Sequence, residues 1–278
     1  MVQTVSAPIR KVYSEQLANA NCPANTADNT TRRPIAVRRG FSEILIEPAA
    51  AGRLHLVPAI REAYFYDASR TLGDRWIDLL RDKDKALINR HVAGDTETYL
   101  NSMTASDFLY IGTVRPAKGY FMDMDASLVN AVVATLAAEY SRLGGFATTA
   151  ITDGTASGGA PLATDGNVGI DTVPTDWGAF ELKQLLPISD VPKRKERLFW
   201  SRLSVSATLT AGVEIEEIVP LAAVGAGTIT TASDSIIVKA STEYSIPIPI
   251  NIPEWVGALE FIAQGAAATT ANLTWIAR

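Results

Sequence analysis

Cysteine and histidine are nearly missing from this sequence. Cys22 is the single cysteine among 278 residues, so no disulfide can form within the chain. His55 and His91 are the only histidines, which leaves too few ligands for a structural zinc site. The expectation is a fold held by packing or by partners, with no metal and no cofactor. No run of ~18 apolar residues occurs, so no helix is expected to cross a membrane. The opening residues lack the short apolar core after a basic start that marks a secretory signal. Positive charge is not in excess either: 25 Lys and Arg stand against 30 Asp and Glu, a net of −5. Such a chain has no broad cationic surface for phosphates, and nucleic acid is not an expected partner.

What the chain does have is apolar material, 47% of its residues, enough for one large β-domain or two smaller units. Residues 1–40 are rich in Asn, Thr, Ala and Pro and lack an apolar period, which reads as an extended arm that orders only against its own domain or a neighbouring subunit. Its basic pairs, Arg32 with Arg33 and Arg38 with Arg39, are candidate partner contacts. From Phe41 the texture changes to short alternating runs bounded by Gly, Pro, Asp or Ser, among them 42–48, 53–68, 75–80, 107–113 and 118–125. These predict strands. In 197–209 the residues Phe199, Ser201, Leu203, Val205, Ala207 and Leu209 share one face, the clearest alternation in the chain, and Arg202 falls on the other face as a solvated or subunit-facing cation. Pro247, Pro249 and Pro253 mark an edge strand or extended tail, because proline cannot donate to a ladder. Ten or more short strands with at most one helix predict an all-β sandwich or barrel.

One stretch invites a chemical reading: ITDGTASGGAPLATDGNVGIDTVPTDW, residues 151–177, with five glycines and four aspartates. A P-loop needs a Lys and a hydroxyl after its last glycine, and Ala160 and Pro161 stand there instead. A dinucleotide fingerprint needs a helix start, and no helical period follows. Asp153, Asp165, Asp171 and Asp176 are hard oxygen donors, but their spacing fits no EF-hand. The stretch reads as turns. Asp153-Gly154 and Asp165-Gly166 are hairpin dipeptides, and Gly158-Gly159 permits positive φ at a bulge.

The run from "SDFLYIGTVRPAKGYFMDMD" through "AEYSRLGGFATTAITDGTASGGAPLATDGNVGIDTVPTDWGA" to "RLFWSRLSVSATLTAGVEIEEI" resembles a β-module of tailed-bacteriophage virion proteins. The likeness covers Ser106 to Ile218, about 110 residues. The tryptophans expected after Glu139-Tyr140 are replaced by Leu143 and Phe146, and 181–197 is a longer insertion. The resemblance implies a strand over Val129 to Tyr140, where the residues alone also allow a helix. The motif residues are aromatic and glycine, so they bear on fold more than on activity. Trp177 and Trp200 read as core plugs, each able to bury ~200 Å², with Phe199, Leu203 and Val205 beside them.

No nucleophile motif is present, since Ser157 lacks the G-x-S-x-G frame. His55 alternates with Leu54 and Leu56, which places it on a polar face. Asp123 and Asp125 are the best paired carboxylates and read as a solvent-facing strand end. Tyr64, Phe65, Tyr66 and Trp76 are available for sugar stacking, so a host glycan is a possible but not a favoured ligand. The expectation is a non-enzymatic virion structural protein, made in the host bacterial cytoplasm: an extended arm (1–40), a jelly-roll-like antiparallel β-sandwich (41–221) and a C-terminal β-segment (222–278). Capsid decoration or cement is the first role. A neck, tail or baseplate accessory, or a carbohydrate-binding attachment module, are the alternatives. Partners would be major capsid or tail proteins and copies of itself.

Overall fold

The computed structural model of the protein describes residues 12–18, 21–24, 33–38, 40–80, 100, 102–222, 235–240, 250–265 and 267–277. His91, Arg32, Arg39, Pro247 and Pro249 lie outside them. The chain opens with β1 (Val12–Leu17), β2 (Ile35–Ala36), β3 (Glu43–Pro48) and β4 (Gly52–Pro58). Next come β5 (Ile60–Tyr66), β6 (Trp76–Asp78), β7 (Phe108–Thr113), β8 (Gly119–Met124), β9 (Leu136–Arg142), β10 (Gly145–Thr149), β11 (Ile151–Asp153) and β12 (Gly166–Ile170). Then follow β13 (Ala179–Phe180), α1 (Leu182–Leu185), β14 (Leu198–Val205) and β15 (Ile215–Pro220), and the chain closes with β16 (Ser235–Val238), β17 (Ile250–Asn251), β18 (Val256–Ala263) and β19 (Ala271–Ile276). The protein is all-β, of antiparallel sandwich type.

Four sheets form two packed pairs. In the first, the order β10-β9-β14-β7-β5-β6, with β13 added on β14, faces the order β11-β12-β8-β15. Period-two alternation sends Ala63, Phe65, Leu109, Ile111, Leu136, Ala138, Leu203 and Val205 inward, where they meet Tyr120, Met122, Met124, Val168, Ile215 and Ile218. Each Val, Leu, Ile, Phe or Met among them contributes about 1.5–3 kcal/mol by leaving water, and the alanines less. In the second pair, β1-β19-β3-β17 faces β16-β4-β18-β2. Its core holds Leu17, Cys22, Ile44, Ile46, Leu54, Leu259, Phe261, Leu273 and Trp275.

The strands therefore group otherwise than the expected division into 1–40, 41–221 and 222–278. Strands β3 and β4 pair with β18 and β19, so the second sandwich is built from both ends of the chain. The supposed arm supplies β1 and β2 to it. A third cluster joins the two sandwiches, with Val57, Ala258 and Ile262 against Phe121, Val219 and Leu221. That junction corrects the placement of His55. It is 1% exposed, because the polar-looking face of β4 is covered by the first sandwich. His55 stands opposite Glu260 in the ladder, and Glu260 Oε2 accepts the Ala222 N–H at 2.9 Å.

Two further expectations change. The strand expected over Val129 to Tyr140 begins only at Leu136, and the residues before it form a loop. The insertion 181–197 carries α1, four residues long, and crosses the outer face of the seven-stranded sheet. Under it, Trp200 packs with Tyr64, Tyr110, Leu182, Leu185, Val191 and Leu198. Gly112 makes room for Trp200: an added Cβ there would lie 3.0 Å from the indole. Strand β17, two residues before Pro253, is an outer strand.

Candidate functional site

Three connections meet at one end of the first sandwich: 125–135 between β8 and β9, 154–165 between β11 and β12, and 206–214 between β14 and β15. The register brings them together, since β12 begins beside the end of β8, with Gly166 opposite Met122. Asn130 ties all three. Its Nδ2 donates to Val132 O and Pro161 O, both at 2.9 Å. Its Oδ1 accepts Val132 N and Thr210 N at 3.0 Å and Thr210 Oγ1 at 3.2 Å. Backbone bonds add to the tie, from Asn130 N to Leu162 O and from Ala134 N to Gly159 O.

The glycine and aspartate stretch is the second tie. Asp153 Oδ1 accepts Thr155 N at 2.9 Å and Thr155 Oγ1 at 2.6 Å, the local bonding that makes Asp a turn former. Thr155 Oγ1 in turn accepts Leu162 N at 2.9 Å. Ser157 and Ala160 exchange both backbone bonds at 3.0 Å. The residues between them, Gly158 at φ 58 and Gly159 at φ 85, are thus a two-residue turn rather than a bulge. Leu162 is also left-handed, at φ 55, a conformation costly for a side-chain-bearing residue and held here by its bonds to Thr155 and Asn130.

The second hairpin dipeptide is corrected. Gly166 is not at a turn; it is the buried first residue of β12. A Cβ on it would stand 2.1 Å from Gly154 O, so glycine is required by close backbone approach. Asp165 caps the end of β8 instead, accepting Met124 N at 3.0 Å. Asp171 accepts Thr152 Oγ1 at 2.8 Å, and its carbonyl takes the Lys118 ammonium. Asp176 accepts Tyr140 Oη at 2.8 Å. The four carboxylates serve four separate partners, and among the described residues no three His, Cys, Asp or Glu side chains come together.

This end presents two valines to water, together with polar residues such as Ser127, Ser157, Thr164, Asp165, Ser206 and Thr208. Val133 is 70% exposed and Val132 37%, at the tip of the loop that Asn130 holds. Leu143, at the turn between β9 and β10 and so at the opposite end of β9, is exposed too.

The remaining sequence candidates are placed elsewhere. Trp177 is buried with Tyr140, Ile170 and, at the margin, Phe199. Trp200 donates Nε1–H to Phe180 O at 2.9 Å. Leu203 and Val205 lie in the inter-sheet core. Arg33 pairs with Asp123 at 3.4 Å, and Arg38 pairs with Glu15 at 2.9 Å while covering the Tyr13 ring. Both contacts are within the chain. Asp125 accepts Ser127 N at 2.8 Å, so Asp123 and Asp125 each have their own structural partner.

Arg202 is not a solvated cation. It lies between the rings of Phe108 and Phe146, 4.6 Å from each centroid, and pairs with Glu139. Burial works against its charge, but the bonds to Glu139 and Tyr110 outweigh that and hold the guanidinium above its usual range. Tyr66 and Trp76 continue this aromatic row, their rings 4.9 Å apart. Phe65 faces the opposite, inter-sheet core.

Asn130 and the Arg202 to Glu139 pair escaped the sequence reading. The one signal for Asn130 is an amide side chain inside the apolar run 128–138. No protein-family model matches the chain, and no curated protein matches it.

Proposed function

We propose that the chain is a non-enzymatic structural protein of a tailed-phage particle, a decoration or cement protein that binds the shell and copies of itself. The observation that carries this reading is the loop end of the first sandwich. Its polar side chains hold three loops in one geometry, and the residues displayed in that geometry include two valines, at 132 and 133. A rigid frame that exposes apolar side chains suits adhesion by burial, worth ~25 cal/mol per Å² at each contact. In a symmetric particle many such weak contacts add through the linkage of the copies. No turnover is needed.

The test is to locate the chain. A gold-labelled antibody should decorate intact particles and empty heads of the phage that encodes it, and the chain should stay on heads through a high-salt wash. Val133→Asp should lower its occupancy without altering its fold. A chain missing from purified particles, or a purified monomer that turns over a substrate, would refute the reading. Label confined to the neck, tail or baseplate would move the role there.

A shallow cleft of about 660 Å³ beside Trp76, lined also by Ser69, Arg70, Thr71, Asp74 and Asp78, favours a second reading as a glycan-binding attachment module, since sugars are held by an indole wall and polar side chains. Glycan-array binding lost on Trp76→Ala would support it.

A further inference from the structure

We infer that the outer edge of β1 is a docking edge for β1 of a second copy, joining two four-stranded sheets across a two-fold axis. The inference deepens the structural reading, on which it rests for a setting where many copies meet.

The outer strands of the described sheets are β1, β17, β16, β2, β10, β6, β11, β15 and β13, which pairs with β14 alone. Unpaired edges template further pairing, and proteins blunt them with short length, proline, bulges, charge or a covering element. Eight of the nine carry such a guard. Strands β2, β13 and β17 have two residues each, β6 and β11 three, and β16 four. Strand β10 opens on a glycine at φ 138 and has α1 packed beside it. Strand β15 has a register break between Ile215 and Glu217 and ends in Pro220.

Among the described residues, strand β1 has none of these. Its six residues, VYSEQL, pair with β19 from Val12 opposite Ile276 to Leu17 opposite Ala271 without a break. It contains no proline, glycine or lysine. Its one charge is engaged within the sheet, since Glu15 accepts from Trp275 Nε1 and from Arg38. Val12 is 60% exposed and Tyr13 42%.

The sequence of the strand selects its own copy as the occupant. Across a two-fold perpendicular to the sheet each side chain keeps its face, so the axis must pass through a residue rather than between two. Centred on Ser14, it sets Ser14 against the partner's Ser14, Val12 against the partner's Gln16 and Tyr13 against the partner's Glu15. Hydroxyl faces hydroxyl, and tyrosine faces a carboxylate that can accept from it. Centred on Glu15 it would oppose two like charges, and centred further along it would shorten the overlap. One register is favoured.

The experiment is cysteine cross-linking with light scattering on the full chain. Directly opposed residues stand about 4.5–5.5 Å apart at Cα, within disulfide reach. Ser14→Cys should therefore give a covalent dimer on mild oxidation, and Gln16→Cys, opposed to Val12, should not. By light scattering the parent should be a dimer and Ser14→Lys, which opposes two ammonium groups, a monomer with the parent's circular dichroism. A parent that stays monomeric at high concentration, a Ser14→Lys dimer, or equal cross-linking from both cysteine variants would each overturn the inference. Should Ser14→Lys lose its fold, the cross-linking pair decides alone. Particle binding separates the two readings: a monomeric Ser14→Lys that still decorates heads leaves the structural role intact, whereas a dimer that binds no particle refutes that role and leaves the edge standing.

Discussion

Replacing Asn130 by Ala removes five side-chain hydrogen bonds at once. The bond to Pro161 O is fully buried, and the stranded carbonyl costs about 1–3 kcal/mol. The other four are partly buried, so water can replace some of them, and each contributes about 0.5–1 kcal/mol net. The expected loss is about 3–7 kcal/mol. For a protein of this size that lowers the melting midpoint by roughly 6–20 °C, read by scanning calorimetry. Hydrogen exchange should localise the damage, with faster exchange at the Val132 and Thr210 amides. Asn130→Asp sharpens the test. At neutral pH its second carboxylate oxygen would face the carbonyls of Val132 and Pro161 in place of a donor, so the loss should match or exceed that of Ala. Those carbonyls and burial raise the folded-state pKa of the new acid. Protonation restores one donor, and the gap to the parent should narrow as pH falls towards ~4, the unfolded value for Asp. An Asn130→Ala protein that melts within a degree of the parent would refute the claim that this amide holds the loop end.

Gly166→Ala should cost more than 3 kcal/mol or abolish soluble expression, because the new methyl meets Gly154 O at 2.1 Å; Gly158→Asn, at an open turn position, should be nearly neutral in a chemical melt. Glu139→Ala leaves the guanidinium of Arg202 partly buried between two rings without its carboxylate, and should destabilise by about 2–3 kcal/mol in urea unfolding, more than Glu139→Gln, which keeps an acceptor. Burial pushes the Cys22 thiol up from 9.0 to about 12. Because the folded value is the raised one, its contribution to stability is full below pH 9 and declines as pH rises from there towards 12. At pH 8 the native protein should resist a thiol reagent, and urea should expose one thiol per chain.

The first sandwich was legible because its signal is local. Alternation in 197–209 predicts which side chains of β14 face inward, and Leu203 and Val205 do so. The same local rule misplaced His55. Alternation says only that His55 faces away from Leu54; whether that direction holds water depends on a second sandwich packing there. Arg202 fails likewise, since its aromatic neighbours Phe108 and Phe146 come from strands far off in sequence. The dipeptide Asp165-Gly166 shows a different limit. A glycine chosen for positive φ and one chosen for close approach look identical in sequence, and only the neighbouring Gly154 carbonyl tells them apart.

The strands of the second sandwich were legible one by one, as at 42–48, but their pairing was not, for a topological reason that governs how partner contacts can be tested. Its ladder joins Val12 to Ile276 and Leu17 to Ala271, a pairing between opposite ends that leaves no periodic mark in either. Deleting residues 1–40, the natural probe of an arm, would remove β1, β2 and the buried Cys22 from the core. It would also strip the Glu15 carboxylate from the Trp275 indole. Loss of particle binding after such a deletion would then report collapse of the second sandwich and could not be assigned to a lost contact. Substitutions that leave the core untouched avoid the confusion. Ser14→Lys changes an exposed position on the free edge, and Val133→Asp changes an exposed position at the loop end. If each lowers association while the melting curve is unmoved, edge and loop end act as separate contacts, and the double variant should show additive loss.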